Sequence, residues 1–140
     1  MLDKLFAPYA DVGALLLRLA LGFVFFPHGW AKLKDPASFT GFLKQLAVPA
    51  PAFSAWLVAL LETVGAALII LGVATRVMAL GLAIDMLVAI VAVRIRMGRA
   101  SFSSTPQAQG WDYEFLLLAG ALALVFTGAG RLALDPYLGL

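Results

Sequence analysis

Two acidic residues, Glu62 and Asp85, each lie near the middle of an apolar segment that is long enough to cross a lipid bilayer. A carboxylate at the centre of a bilayer costs about 2.5–3.5 kcal/mol on insertion scales, so such a group normally faces a partner or a cavity. An ionisable group held in this way is suited to accept or pass a proton. These two residues therefore mark the part of the chain where chemistry is expected.

The other ionisable residues near the apolar segments are predicted to form two layers. In a mid-membrane layer, Arg18 of the first segment joins Glu62 and Asp85. Arg18 and Lys32 are fourteen residues apart, which places them on nearly the same face of a helix, and this face is expected to point into a bundle. A second layer at the rim of the bundle consists of His28, Lys32, Asp112 and Glu114.

Two interpretations of these residues are open. In the structural one, Arg18 pairs with a mid-membrane carboxylate, and Lys32 or His28 pairs with Glu114, each as a polar contact between helices worth about 1–2 kcal/mol. In the functional one, the mid-membrane carboxylates outnumber Arg18, and one of them holds a proton and transfers it. If the chain is catalytic, Arg18 and the two mid-membrane carboxylates are the candidate residues, but the sequence does not establish catalysis.

The composition indicates that lipid is the solvent for much of the chain. Of its 140 residues, 63% are hydrophobic and 13% are charged, and the mean hydropathy is +0.98, whereas a soluble domain carries about 25% charged residues. The chain has no cysteine and one histidine, which excludes a disulfide, an iron–sulfur cluster and a bis-histidine haem within one chain. The basic residues lie at segment ends, which argues against nucleic-acid binding. The spacing of His28, Asp112 and Glu114 only weakly supports a metal site, and none is predicted.

Continuous apolar runs, which do not alternate, predict an all-α, polytopic membrane protein, namely a four-transmembrane-helix bundle. A single domain over residues 1–140 is expected, with helices at about 12–30, 52–72, 76–93 and 113–130. Residues 36–46 fit either a short interfacial helix or an irregular loop with apolar anchors. Two similar strings, Arg18–Gly22 and Arg76–Gly81, are consistent with two parallel helical-hairpin repeats.

Basic residues predict the orientation of this bundle, because short cytoplasmic connections carry an excess of lysine and arginine. Six basic residues flank the two long connections and three lie on the opposite side. Both long loops are therefore expected in the cytoplasm and both termini outside. The first group is Lys32, Lys34, Lys44, Arg94, Arg96 and Arg99, and the second is Lys4, Arg76 and Arg131.

An ordered set of short motifs runs from about Leu15 to Asp135. It comprises Arg18-Leu19-Ala20-Leu21-Gly22, His28-Gly29-Trp30-Ala31-Lys32-Leu33, Glu62-Thr63-Val64-Gly65, Gly72-Val73-Ala74-Thr75-Arg76, Ala83-Ile84-Asp85-Met86-Leu87-Val88-Ala89, Tyr113-Glu114 and Thr127-Gly128-Ala129-Gly130-Arg131. With this set the chain resembles the DoxX family of small four-helix proteins of the bacterial inner membrane. The resemblance implies a multi-pass protein of the plasma membrane and a link to quinone-dependent redox reactions, because DoxD-like subunits of thiosulfate:quinone oxidoreductase share the family name.

Three classes of function follow. The first, which we rank highest, is a membrane partner or subunit associated with a quinone-linked redox process, with an electron donor in another soluble or membrane protein. The second is a small transporter or permeation protein that uses the mid-membrane carboxylates. The third is a non-enzymatic scaffold whose basic loops recruit a soluble partner. The expected surroundings are the lipid bilayer, with a quinone as the one cofactor implied, and the sequence is compatible with a homo-oligomer.

Overall fold

The computed structural model describes residues 7–92, 94, 97–98 and 101–140, and in this part of the chain it contains helices and no strand. The predicted all-α class is confirmed. A 3₁₀ turn, Ala7–Tyr9, precedes the first helix. The α-helices are α1 (Ala10–Lys34), α2 (Pro36–Gln45), α3 (Pro51–Leu60), α4 (Ala66–Leu71), α5 (Thr75–Val91), α6 (Asp112–Thr127) and α7 (Asp135–Leu138).

The connection after α1 is a helix rather than an irregular loop, which decides between the two interpretations of residues 36–46. The side chain of Asp35 accepts a hydrogen bond from the backbone N–H of Ser38 at 3.0 Å, and Pro36 occupies the first turn. Both are ordinary signals for a helix start, because the first turn has N–H groups without intrahelical partners and proline has none to lose. α2 thus lies directly against the end of α1.

A π-helical turn, Leu61–Gly65, joins α3 to α4, so that Pro51–Leu71 form one continuous rod. Within the described residues, this 21-residue rod and the 25-residue α1 are the helices long and apolar enough to cross a bilayer. α5 has 17 residues and α6 has 16, which is below the ~20 that a 30 Å hydrocarbon layer requires. Val93, the predicted end of the third helix, and Lys4, Arg96 and Arg99, three of the residues used to predict orientation, lie outside the described residues.

The helices pack as two antiparallel pairs, α1 against the rod and α5 against α6. Gly22 of α1 contacts the rod closely, since a Cβ atom there would lie 2.2 Å from a side-chain carbon of Ile70. Between the pairs lies an apolar core. Its fully enclosed members are Leu21, Phe25, Ala66, Ile69, Ala79, Leu82, Ala121 and Leu124.

The bundle has two distinct ends. The loop end carries α2 and the connection from α5 to α6, and the terminus end carries the start of α1 and the C-terminal segment. At the terminus end, Asp135 caps α5, because its carboxylate accepts hydrogen bonds from the backbone N–H groups of Ala74 at 2.6 Å and Thr75 at 3.1 Å. The backbone N–H of Arg131 donates to the carboxylate of Asp11 at 2.7 Å. The C-terminal segment therefore lies across the ends of α1, α4 and α5.

Candidate functional site

Glu62 lies in the π-helical turn of the rod and is almost fully buried, with 2% of its surface exposed. A π turn places one extra residue in a helical turn and is often found at functional sites, because it changes the direction of one side chain without ending the helix. The hydroxyl of Thr63 donates to the carbonyl oxygen of Ala59 at 2.7 Å, which supplies a partner for a carbonyl at the start of this turn. The turn thus directs a carboxylate into the bundle.

Gly29 of α1 lies directly against this turn. A Cβ atom at Gly29 would be 2.5 Å from the hydroxyl oxygen of Thr63 and 2.6 Å from the carbonyl carbon of Glu62. Real Cβ atoms do not approach other atoms this closely, so the contact requires glycine. Because residues three apart on a helix are neighbours, the approach at Gly29 also brings Lys32 to the level of Glu62.

Lys32 forms an ion pair with Glu62, and it is the one salt bridge between side chains of the described residues. The glutamate side chain is 3% exposed and the lysine side chain 24% exposed, so the pair lies at the boundary between the interior and the loop end. The ammonium nitrogen of Lys32 lies 4.8 Å from the ring centroid of Phe39 in α2, a distance at which a cation is attracted to an aromatic face. α2 therefore helps to hold the lysine over the carboxylate.

Asp85 of α5 faces the same pair. Its carboxyl group adjoins that of Glu62 and is within the electrostatic range of Lys32. One of its oxygen atoms, Oδ2, is enclosed and has no hydrogen-bond partner. Two carboxyl groups thus share one ammonium group, so the cluster carries a surplus negative charge unless it holds a proton. We call Lys32, Glu62 and Asp85 the carboxyl site.

A rim of polar side chains lies between the carboxyl site and the loop end. Glu114, in the first turn of α6, has an enclosed Oε2 atom without a hydrogen-bond partner. The Tyr113 hydroxyl and the Nε2 atom of His28 are 3.4 Å apart, and both residues are exposed. Tyr113 is within electrostatic range of Glu114 and also of Glu62. The ionisable groups therefore extend from the surface to the buried carboxylates.

Asp112, which was predicted in the rim layer, lies at the loop end, and its carboxylate faces the α5–α6 connection. It accepts hydrogen bonds from the backbone N–H of Ser104 at 2.9 Å and from the Ser104 hydroxyl at 2.6 Å. The residue begins α6, and a carboxylate is favourable at a helix N-terminus. The partners of this carboxylate are therefore local.

The same hydrogen bonds lower the pKa of Asp112 below its usual value, first through the Ser104 hydroxyl and then through the Ser104 N–H. Because the pKa of Asp112 is lower in the folded state, its ionised carboxylate stabilises the fold. This stabilisation is complete above the ordinary aspartate pKa of about 3.9 and is lost as the pH falls through the folded-state value. We expect Ser104→Ala to raise the pKa of Asp112 toward that ordinary value. An NMR titration of the Asp112 carboxyl carbon measures the change, and an unchanged pKa would show that the hydroxyl is not the main cause.

Arg18 does not join the mid-membrane layer. Its side chain is 1% exposed, and its Nη2 atom donates to the carbonyl oxygen of Leu132, while its Nε and Nη1 atoms have no hydrogen-bond partner. Asp135 is the acidic group within its electrostatic range. The pairing with Glu62 or Asp85 that the structural interpretation predicted is not formed, because of the register between α1 and the rod. Arg18 lies level with Gly72, and the level of Glu62 is reached fourteen residues later at Lys32.

The predicted pairing of Lys32 or His28 with Glu114 is also not formed, because Lys32 is engaged by Glu62 and His28 faces Tyr113. Among the residues that the structure describes, no three histidine, aspartate or glutamate side chains lie close enough to hold a metal ion. The weakly supported combination of His28, Asp112 and Glu114 is therefore not brought together.

Three residues of this arrangement were not predicted from the sequence as parts of the site. They are Gly29, Phe39 as a contact of Lys32, and Tyr113. Gly29 was not distinguished from the other glycines, although its position one turn before Lys32 was a usable signal. Phe39 lies in the segment 36–46, for which only an interfacial helix or a loop with apolar anchors was predicted, because its ring contact depends on the angle between α1 and α2. Tyr113 adjoins Glu114 and carries a hydroxyl group, which was the available signal.

Comparison with known proteins gives a consistent result. The family model for DoxX matches residues 13–95. "Putative oxidoreductase CatD" of Bacillus subtilis is 32% identical over 130 residues, which is 91% of this chain and 87% of the relative. "Uncharacterized membrane protein Rv3486" of Mycobacterium tuberculosis is 34% identical over 129 residues, 86% of this chain and 78% of the relative. A Haemophilus influenzae protein is 34% identical over 121 residues, 85% of each chain. No solved structure matches the chain.

Proposed function

Because the chain belongs to the DoxX family, we propose that it is a multi-pass protein of the bacterial inner membrane that acts as a membrane subunit or partner in a quinone-linked redox process. The observation that carries the proposal is the carboxyl site, where Lys32, Glu62 and Asp85 place two acidic groups and one ammonium group inside an apolar bundle. Ionisable groups inside membrane helices are rare and usually belong to substrate or proton pathways.

Four transmembrane helices are part of this proposal. α5 and α6 are short, but their outward faces are apolar in the same way as those of α1 and the rod. Such faces require lipid as their solvent, since soluble monomers rarely expose large contiguous apolar patches. The exposed residues include Val77, Leu80, Ile84, Leu87, Val88 and Val91 on α5, and Phe115, Leu116, Leu122 and Phe126 on α6.

The proposed orientation places the loop end in the cytoplasm and both termini outside. Lys34 and Lys44 are exposed at the loop end, and Arg94 lies 5.8 Å from the ring of Trp111 there. Positive charge at one end of a bundle favours the cytoplasmic side. The pairing of α1 with the rod and of α5 with α6 is compatible with two parallel helical-hairpin repeats, which we include in the proposal.

The side chains of the carboxyl site and its rim fit the head group of a quinone. Lys32 is a hydrogen-bond donor for a carbonyl oxygen of the quinone. Asp85 Oδ2 and Glu114 Oε2 are enclosed and have no partner, so they are free to accept from the hydroxyl groups of the quinol, and such atoms are costly to leave unpaired. A quinone, when bound, takes up two electrons and two protons and becomes a quinol. Glu62 and Asp85 would hold and deliver the protons and would be reprotonated from water.

A separate protein is the electron donor in this proposal. The chain has no cysteine and one histidine, so it lacks the residues for a thiol relay, an iron–sulfur cluster or a bis-histidine haem within one chain. The relative that is 32% identical is named "Putative oxidoreductase CatD", which agrees with a redox role. We therefore propose a soluble or membrane redox partner that contacts this chain and supplies the electrons.

Thermal unfolding of the detergent-solubilised protein with and without a quinone analogue tests the proposal. A ligand that binds only the folded state stabilises it by about 2.7 kcal/mol when its concentration is 100 times the dissociation constant. We expect a concentration-dependent rise in Tm for the native protein and a much smaller rise for Glu62→Gln or Asp85→Asn.

A matched control separates binding at the site from partition of the analogue into the detergent. Lys34→Gln changes an exposed lysine on the same helix as Lys32, and its Tm should rise as much as that of the native protein. No rise at saturating analogue, or an equal rise in the native protein and both carboxyl variants, would contradict the proposed quinone site.

A further inference from the structure

We propose that the carboxyl site exchanges protons with water at the loop end only, and that the bundle does not conduct protons from one end to the other. This inference rests on the proposed function, since it gives the side from which a quinone-linked reaction would take its protons. It is carried by the position of the polar groups along the bundle axis. They form two separate groups with an apolar layer between them.

On the loop side, ionisable groups reach the surface. Lys32 is partly exposed, and His28 and Tyr113 are exposed at the mouth. Glu114 lies on the same helix as Tyr113 and turns an unpartnered carboxyl oxygen inward. Unpaired enclosed carboxyl oxygens are places where water binds, because a buried water needs polar partners. Ionisable groups therefore lie between the surface and Asp85 on this side of the site.

On the other side of the carboxyl site, the core is a close-packed apolar layer, which we call the plug and define as Leu21, Phe25, Ile69, Leu82 and Leu124. Each of these residues is 4% exposed or less. Such a layer offers a water molecule no hydrogen-bond partner, and packed protein interiors leave few voids of that size. The helix from Arg18 to Lys32 rises about 21 Å, and the plug occupies this interval.

Beyond the plug, Arg18 adds an electrostatic barrier. Its guanidinium group is buried beneath the C-terminal segment, where it donates to Leu132 and faces Asp135. A fixed positive charge at this end opposes the approach of protons and other cations, as the arginine of proton-excluding water channels does. The terminus end is thus closed both by packing and by charge.

The elements packed around the carboxyl site contribute their charged or titratable groups from the loop side, where α2 also carries the exposed Lys44. These groups are His28 and Lys32 of α1, Glu62 of the π turn, Asp85 of α5, and Tyr113 and Glu114 of α6. Arg18 and Asp135 belong to the terminus end. Protons would therefore enter or leave the carboxyl site at the loop side, whichever direction the electrons take.

Proteoliposomes containing the full chain in one orientation test this inference. The carboxyl infrared bands of the site are first assigned as those that disappear in Asp85→Asn and Glu62→Gln. The pH of the outer solution is then changed rapidly, and the intensity of these bands is followed over time. Trypsin cleavage at exposed Lys44 reports the orientation. With the loop end outward, we expect the bands to respond within the mixing time. With the terminus end outward, they should change only as slowly as the interior of protein-free vesicles acidifies.

Two variants show which route the protons take. Glu114→Gln should slow the loop-side response by about tenfold or more, because a positioned proton carrier is removed. Arg131→Gln alters an exposed charge at the terminus end and should leave the response unchanged. A rapid response with the terminus end outward, a response from neither side, or proton flux above that of protein-free vesicles would overturn the inference. Failure of a quinone analogue to stabilise the protein would remove the proposed redox role and leave this sidedness measurable.

Discussion

Replacing Lys32 with methionine is expected to lower the free energy of unfolding by about 3 kcal/mol, because removal of one partner from a buried ion pair leaves the other charge uncompensated. Glu62 is almost fully buried, and Lys32 is its one salt-bridge partner among the described residues. Methionine keeps an unbranched side chain of comparable length, so the packing against Phe39 is largely retained. Denaturant titration in detergent micelles, followed by circular dichroism, measures the change.

Lys34 is the matched control. It lies on the same helix two residues later, is exposed, and has an aromatic ring nearby, with its ammonium 5.8 Å from the ring of Trp30. Lys34→Met should therefore change the free energy of unfolding by about 0.5 kcal/mol or less.

The double variant Lys32→Met/Glu62→Gln removes the charge on both sides and should recover a large part of the loss. Non-additivity of this kind is expected for residues that are in contact or belong to one network. If Lys32→Met and Lys34→Met have equal effects, or if the double variant is as unstable as the sum of the single variants, the ion pair does not hold the site together.

The helices and the identity of the two carboxylates were predictable from the sequence for the same reason. Apolar runs of about twenty residues specify helices in lipid, and a charge inside such a run is conspicuous because lipid gives it no partner. The π turn had no such signal, since Leu61–Gly65 contains no residue that breaks a helix in the way proline does.

The partners of the carboxylates were not predictable, because helix periodicity gives the face of a residue and not its level against a neighbouring helix. Arg18 and Lys32 share one face of α1, and both were expected near the carboxylates. The contact between Gly29 and Thr63 sets the vertical register, which assigns Lys32 to Glu62 and leaves Arg18 with the C-terminal segment. That register depends on close packing between segments that are over thirty residues apart in the chain.

Arg18 also shows why charge balance was a poor guide here. The sequence places one arginine near two carboxylates, and neutralisation by pairing is the simplest expectation. Instead the guanidinium group binds the backbone carbonyl of Leu132, and its unpartnered Nε and Nη1 atoms lie in a region with Asp135 at the terminus end. Separation of the two charges across the plug leaves the carboxyl site with a surplus negative charge, which is the property that its proposed proton chemistry requires.

Gly29→Ala is expected to lower the free energy of unfolding by about 1–3 kcal/mol, the usual cost of adding a methyl group to a packed interior. The added carbon would lie 2.6 Å from backbone atoms of Glu62 and Thr63, so a side-chain rotation alone cannot relieve the contact. α1 must move away from the rod, and Lys32 moves with it. The variant should therefore also weaken the stabilisation by a quinone analogue, which a purely structural defect elsewhere in α1 would leave intact.

Gly13→Ala is the matched control for this change. Gly13 is in the same helix, and no atom lies within 4 Å of the position that its Cβ would occupy. Alanine is favoured over glycine in a helix interior by up to about 1 kcal/mol, so this variant should be as stable as the native protein or more stable. Denaturant titration of both variants, with analogue binding measured in parallel, separates the two cases. Equal behaviour of Gly29→Ala and Gly13→Ala would show that α1 can be displaced at Gly29 without cost, and the close approach would then not be what brings Lys32 to Glu62.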